Sequence, residues 1–285
     1  MKTYKNPVLG AIAGDMIGVP YEWYCKQSLQ IPENFKLWTK DSHFSDDTVM
    51  TIAVAEWLLY PPYNTYNLVS IMQKWGRKYR HAGYGHLFGK WIDSDDPKPY
   101  GSFGNGSAMR VSPVGCAFNT LGTTLTIAEE SAAVSHNHPE GIKGAKCIAE
   151  FIFRALNKDG DRGIVGIMVG DFSNYLGGLA VQDYGYNLSR TPEEIIKSGY
   201  RFDSTCQGSV PEAICCFLSS NSYEETIRNA IMLRGDADTQ AAIAGSIAAA
   251  YWGIPQDIRD ECLDRLPDDM FDILEDFSEK YNLEL

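Results

Sequence analysis

The sequence predicts an all-α fold, a single compact orthogonal bundle of about ten or more helices spanning residues 1–285. Three observations carry this. Apolar residues recur about every 3.6 positions, two-residue alternation is almost absent, and no internal repeat or linker-like stretch divides the chain. With 44% hydrophobic and 12% aromatic residues, the 285 positions hold enough apolar surface for a substantial core.

Pro7–Val19 reads as the first helix, with Gly10, Gly14 and Gly18 repeating every fourth residue so that another helix can approach closely. Asp46–Leu59 follows, N-capped by Ser45 and stopped by Pro61-Pro62. Further helical periodicity covers Tyr66–Tyr79, Thr124–Ser135, Pro139–Leu156, Gly163–Phe172, Pro192–Ser198 and Pro211–Leu218. Tyr223–Leu233, Asp238–Trp252 and Pro267–Tyr281 complete the set. Lys26–Phe44 and Gly83–Gly106, rich in Gly, Pro, aromatic and polar residues, read as long irregular segments, a class that is usually functional or mobile.

The net charge of −12 argues against a broad nucleic-acid-binding surface. It is concentrated in residues 257–285, where eleven acidic residues face three basic ones, the pattern of a solvated, amphipathic C-terminal helix pair. Seven cysteines without CxxC spacing predict reduced, mostly buried thiols and a cytoplasmic protein. Asp15 interrupts the apolar run Val8–Val19, which excludes a secretory signal there. Ala241–Tyr251 is too short to span a bilayer and carries Ser246, so no membrane association is expected.

The chemistry is concentrated in two acidic clusters almost two hundred positions apart, Ser45-Asp46-Asp47-Thr48 and Asp236-Ala237-Asp238-Thr239. Each opens a helix, where orphan N–H groups and the positive dipole end keep carboxylates ionised. One such cluster alone is an N-cap. Two doubled clusters, brought together, form an all-oxygen ligand set for hard divalent cations, with no His or Cys to favour zinc. Asp15, in an apolar helix, needs a partner if buried, and Glu22 just beyond that helix is a candidate acid or base.

Three other segments are weaker signals. Gly101-Ser102-Phe103-Gly104-Asn105-Gly106-Ser107 permits close backbone approach to a ligand, but a structural turn reads equally well. No Lys-Ser/Thr pair follows and no strand precedes it, which excludes a P-loop and a dinucleotide fingerprint. His136 either contacts a ligand or hydrogen-bonds within the core, while His138, before Pro139, reads as a helix-entry residue. Cys206-Gln207-Gly208 reads as a turn opening a buried helix.

In this order the segments resemble the ADP-ribosylglycohydrolase superfamily, which includes the dinitrogenase-reductase-activating glycohydrolase and the ADP-ribosyl-hydrolases. The resemblance spans Gly10–Glu22, Phe44–Leu58, Ser102–Gly115, Ser135–Ala145, Cys206–Leu218 and Leu233–Pro255. It implies an all-α fold with a central dinuclear site holding Mg²⁺ or Mn²⁺. By matching position it implies metal ligands at Ser45, Asp46, Asp47, Asp236, Asp238 and Thr239, with Glu22 and Asp47 as candidate catalytic carboxylates. It implies substrate contacts from Ser102, Phe103, Gly104, Asn105, Gly106, Ser107 and His136, and more loosely from Gln207.

The sequence departs from the family pattern in three places. Ser45 stands where Thr is usual, Phe103 where Tyr is common, and Arg234 brings a cation beside the second cluster.

The implied activity is metal-dependent hydrolysis of the N- or O-glycosidic bond at ribose C1″ of an ADP-ribosylated protein or small ADP-ribose conjugate. ADP-ribosylarginine is the first substrate expected. Two alternatives stand beside it: an inactive ADP-ribose-binding homologue and an all-α metal-dependent pyrophosphohydrolase. An all-α terpene synthase is set aside, because Val49-Met50-Thr51 breaks the Asp-Asp-x-x-Asp spacing.

Overall fold

Glycines at every fourth position of the first helix decide the architecture. In the computed structural model, which describes residues 2–157 and 184–285, β1 (Thr3–Tyr4) leads into α1 (Pro7–Lys26), capped by Asn6. The chain continues through α2 (Asp46–Leu59), α3 (Thr65–Lys78), α4 (His86–Asp93), the short α5 (Gly106–Met109) and α6 (Ser112–Ala117), α7 (Leu121–Ala133) and α8 (Pro139–Leu156). After the undescribed stretch come α9 (Pro192–Lys197), α10 (Cys206–Leu218), α11 (Tyr223–Met232) and α12 (Ala237–Tyr251). β2 (Ile254–Pro255) pairs antiparallel with β1, and α13 (Gln256–Arg265) and α14 (Asp268–Lys280) end the order. The fold is all-α.

The most extensive helix contact joins α1 to α12. A Cβ at Gly10 would overlap Gly245 and Ala249, one at Gly14 the Ala241 backbone, and one at Gly18 the Asp238 backbone. The ascending order on α1 meets a descending order on α12, so the two helices run antiparallel with their backbones nearly touching. Helix α12 is buried along its whole length. It is the core's central rod, with α8, α10 and α11 packed on its other sides.

Several boundaries differ from the sequence-based expectation. Helix α1 does not stop at Val19: Pro20 removes one backbone donor, yet the helix runs on to Lys26 because its packing on α12 holds it. That extension puts Glu22 on the helix rather than beyond it. Helix α10 starts at Cys206, with Thr205 as N-cap, and Pro211 lies inside it. The segment Gly83–Gly106 is not wholly irregular, since α4 forms within it and buries Phe88, Trp91 and Ile92 along one face. The expected helix Gly163–Phe172 lies outside the described residues.

All seven cysteines are free and buried. The acidic C-terminal segment folds as the pair α13 and α14. Among the described residues, no helix is long and apolar enough to cross a membrane.

Candidate active site

Construction starts at Asp15, fully buried on α1. It accepts hydrogen bonds from Ser45 N (2.9 Å), Ser45 Oγ (2.7 Å), Thr48 N (3.1 Å) and the Thr48 hydroxyl. Burial pushes its carboxyl above the usual range while these four donors pull it back. Asp15 thus takes up the orphan donors at the start of α2 and fixes that helix end against α1. Ser45 Oγ also accepts from Asp47 N at 3.1 Å, so Ser45 is the N-cap of α2.

The rear cluster arrives on the other half of the zipper. Arg234 has φ 62°, in the left-handed region that favours glycine, and the chain turns there into α12. Gly235 follows against Tyr200 and Gln240, where a Cβ would overlap both side chains. Gly18 rests on Asp238, so the next turn of α1 carries Glu22 up beside Asp236 and Asp238. Carboxylate oxygens of these three residues lie within 4.8 Å of one another. The front cluster meets them through Thr239, whose Oγ1 donates to Asp47 Oδ1 at 3.3 Å. Segments 192 positions apart in sequence therefore line one cavity of about 490 Å³, to which Glu22, Asp46, Asp47, Asp236, Asp238 and Thr239 all contribute.

This concentration of carboxylates is poorly compensated by protein charge. Burial first, then Asp15 and Asp236, pushes the Asp46 carboxyl up to about 7. Burial raises Asp236 to about 6, against an opposing hydrogen bond from Asn105 Nδ2 at 2.7 Å. Asp47 and Asp238 are held well above the usual range by burial and by their acidic neighbours. Lys26 lines the cavity but is ion-paired to Glu22. Asp47 Oδ2 is buried with no hydrogen-bond partner among the described residues. An orphaned carboxylate oxygen among clustered acids, with hydroxyls and no imidazole or thiolate in the cluster, fits hard divalent cations.

The other half of the cavity is a wall of loop and aromatic residues. An isolated bridge between Gly104 and Thr205 ties the glycine-rich loop to the start of α10, through Asn105 N to Ser204 O (2.9 Å) and Cys206 N to Phe103 O (2.8 Å). Ser102 Oγ accepts from Gly104 N at 3.2 Å. A Cβ at Gly106 would come to 3.0 Å from His136 Nε2, so glycine leaves room for that ring. His136 Nδ1 bonds Ser135 Oγ at 2.8 Å, and the Arg110 guanidinium donates to the same hydroxyl at 3.0 Å. Burial, with Arg110 adding to it, holds His136 well below the usual imidazole range, so it is neutral.

Of the residues expected to touch substrate, Ser102, Gly104, Asn105, Gly106 and His136 line the cavity. Three others do not. Phe103 is 45% exposed, with its ring against His138. Ser107 turns inward and donates to Gly141 O at 2.7 Å. Gln207 is exposed on the first turn of α10. His138, as expected, opens a helix: its Nδ1 accepts from Glu140 N at 3.1 Å. The Arg234 side chain is not part of the cavity lining.

Sequence reasoning missed Lys26, His86, Phe88, Tyr100, Arg110 and Phe202, all of which line the cavity. Lys26 had a signal, four residues after Glu22 on a helix that was expected to have ended. Tyr100 and Phe88 lay in a segment flagged for its aromatic content. Phe202 had none.

Comparison with known proteins identifies the family. The family model described as ADP-ribosylglycohydrolase matches residues 3–284. ADP-ribosylhydrolase ARH3 from Mus musculus is 26% identical over 316 residues, covering 89% of this chain and 84% of the relative. The Homo sapiens ARH3 is 27% identical over 320 residues, covering 90% and 87%. ADP-ribosylarginine hydrolase Tri1 from Pseudomonas putida (strain GB-1) is 22% identical over 276 residues, covering 88% and 70%. A solved structure described as an ADP-ribosylglycohydrolase-related protein complex superposes with a TM-score of 0.67 at 20% identity, covering 99% of this chain and all of that one, a likeness of fold. The chain belongs to the ADP-ribosylglycohydrolase family and is a glycosidic-bond hydrolase.

Proposed function

We propose that this cavity hydrolyses the bond between ribose C1″ of ADP-ribose and an N or O atom of a modified protein or small conjugate, with two divalent cations as cofactors. One observation carries the reading. The carboxylates of Glu22, Asp236 and Asp238 converge within 4.8 Å, and the same cavity is bounded by Asp46, Asp47 and the glycine loop. Ser45, Asp46, Asp47, Asp236, Asp238 and Thr239 are the residues that would hold Mg²⁺ or Mn²⁺, which when bound supplies Lewis acidity toward ribose hydroxyls and water.

The protein's own groups divide the remaining work. Glu22 is half-buried at the cavity wall, where its carboxylate reaches both the cavity and solvent, and is paired with the exposed Lys26. This supports Glu22 as the general acid or base over Asp47, whose buried Oδ2 suits a ligand. The surrounding carboxylates stabilise the oxocarbenium-like charge that develops at C1″. Gly104 and Gly106, without side chains, let the diphosphate and distal ribose approach the backbone. Neutral His136 presents Nε2 to the ligand, because Nδ1 is occupied by Ser135. Buried, reduced thiols support a cytoplasmic setting.

Arginine is the proposed acceptor. Of the three named relatives above, only the 22%-identical Pseudomonas enzyme carries an acceptor in its name. The deciding assay incubates the protein with ADP-ribosylated arginine and serine peptides and Mg²⁺ or Mn²⁺, and identifies the products. Free ADP-ribose is expected, faster from arginine. AMP plus ribose phosphate would instead mark a pyrophosphohydrolase, and tight binding without release an inactive homologue.

A further inference from the structure

The catalytic cavity does not close at Asp46. Asp46 N donates to Ala82 O at 2.8 Å, and the turn that follows runs past the Asp46 carboxylate through Gly83 and Gly85 into α4. Gly83, Gly85 and His86 line the cavity and also a second concavity of about 490 Å³ that opens beyond them. Two of its lining glycines face open space: a Cβ at Gly85 or Gly89 would meet nothing within 4 Å. The chain there leaves an open trough leading away from the carboxylate cluster.

The trough's charge is opposite to that of the molecule. His81, His86 and Lys90 are exposed, and their side chains make no hydrogen bond or ion pair among the described residues. Arg80 forms an ion pair with Asp93, the trough's one carboxylate. Lys90 is therefore an uncompensated cation, flanked by two imidazoles, on a chain of net charge −12. An uncompensated lysine on so acidic a surface selects anionic partners by electrostatic complementarity. Nucleic acid also carries negative charge, but the protein's overall field repels a long polyanion, whereas a few flanking carboxylates experience mainly the nearby Lys90 ammonium.

We propose that this trough is the docking groove for the polypeptide that carries the ADP-ribose, and that it takes acidic residues flanking the modified side chain. The inference rests on the hydrolase reading above and adds the partner's chemistry to it. A groove continuous with the reaction centre holds the leaving group's own chain, so its effect falls on substrates that have such a chain.

The test compares three substrates in the presence of Mg²⁺: an ADP-ribosylated peptide flanked by Glu and Asp, the same peptide flanked by Lys, and the ADP-ribosyl conjugate of the free amino acid. Lys90→Glu and Gly89→Phe change the trough without touching the catalytic cavity. With the unsubstituted protein, the acid-flanked peptide should have the lowest KM. Lys90→Glu should raise that KM about three- to ten-fold, the scale of reversing an exposed charge contact. Gly89→Phe should raise it at least as much by filling the trough, and neither should alter turnover of the free conjugate. Equal KM for both peptides, an equal effect of either variant on the free conjugate, or groove-dependent preference for ADP-ribosylated single-stranded DNA would overturn the proposal. Failure of the unsubstituted protein to release ADP-ribose from any substrate would overturn the hydrolase reading itself, and the groove's role with it.

Discussion

The two walls of the cavity are built by opposite means. On the acidic side, α1 and α12 touch through Gly10, Gly14 and Gly18, so the backbone itself sets where Glu22, Asp236 and Asp238 stand. On the opposite side, the wall is made of side chains and loops: Gly104–Gly106, Tyr100, His136 and Arg110, tied to α10 by the Gly104–Thr205 bridge and by Asn105 Nδ2 donating to Ser209 Oγ at 3.1 Å. The first wall is a rigid scaffold that forces like charges together. The second is assembled from loops and side chains and carries little net charge. Backbone contact therefore holds the charges against their own repulsion, while side chains and loops enclose the ligand.

The comparison predicts its largest functional break at Asp238. Asn at this position mimics the protonated carboxyl that burial already favours and keeps an acceptor for Thr239 N, now at 3.0 Å. Asp238→Asn should stay folded by circular dichroism and thermal melting. ADP-ribose release should fall on the order of a thousand-fold, the scale of the several kcal/mol a bound cation contributes. Full activity in this variant, or undiminished activity after exhaustive EDTA treatment, would sink the metal-dependent reading.

A glycine substitution should separate scaffold from wall in the opposite sense. Gly14→Val drives a branched side chain into the Ala241 backbone, which cannot step aside without parting the two helices. Urea denaturation should show a loss of about 3 kcal/mol or more. Gly106→Ala approaches only the edge of His136, so its effect should appear in KM and leave stability nearly unchanged. Equal losses at both positions would show the two walls to be alike.

Titration sharpens the account of the acidic wall. Asp46 and Asp236 are raised from 3.8 to about 7 and about 6 by burial and neighbouring acids. A carboxyl raised on folding stabilises the fold fully below its unfolded value, and this contribution is lost as pH rises through the folded value. Without cations, the cluster's contribution to stability should decline between roughly pH 4 and 7. Cations bind the deprotonated form, so added Mg²⁺ should raise the Tm more at pH 8 than at pH 5.5. A Tm increment independent of pH would mean that the ion binds elsewhere.

The same contrast explains what was legible in the sequence. Adjacent carboxylates at a helix start, Asp46-Asp47 and Asp236-x-Asp238, are chemically conspicuous, and the Gly10/Gly14/Gly18 period announces a close helix contact before any partner is known. Glu22 stands out as a candidate in the sequence, but the helix Pro7–Val19 expected there is too short to carry it; packing against α12 extends α1 past Pro20 to Lys26. Tyr100, Phe88, Arg110 and Phe202 carry no such signature. An aromatic or a buried arginine reads as core until the loops that turn it toward the cavity are seen. Helix α4 was hidden for a related reason, with Gly89 masking three buried positions on one short face.

The smallest expected effect tests that lesson directly. The family resemblance implies a substrate contact at Phe103, yet its ring packs on His138 and is 45% exposed outside the cavity. Tyr100 was not singled out, yet it lines the cavity beside His136, with ring centroids 6.1 Å apart. Phe103→Ala should change KM for an ADP-ribosylated peptide by less than about two-fold, as expected when an exposed side chain makes no ligand contact. Tyr100→Ala removes an aromatic face from the ligand's enclosure and should raise KM by about ten-fold with kcat less affected, the pattern of lost uniform binding. The reverse ranking would mean that the loop 101–107 turns over when substrate binds, carrying Phe103 inward. The loop wall would then owe its specificity to movement rather than to the side chains that line it beforehand.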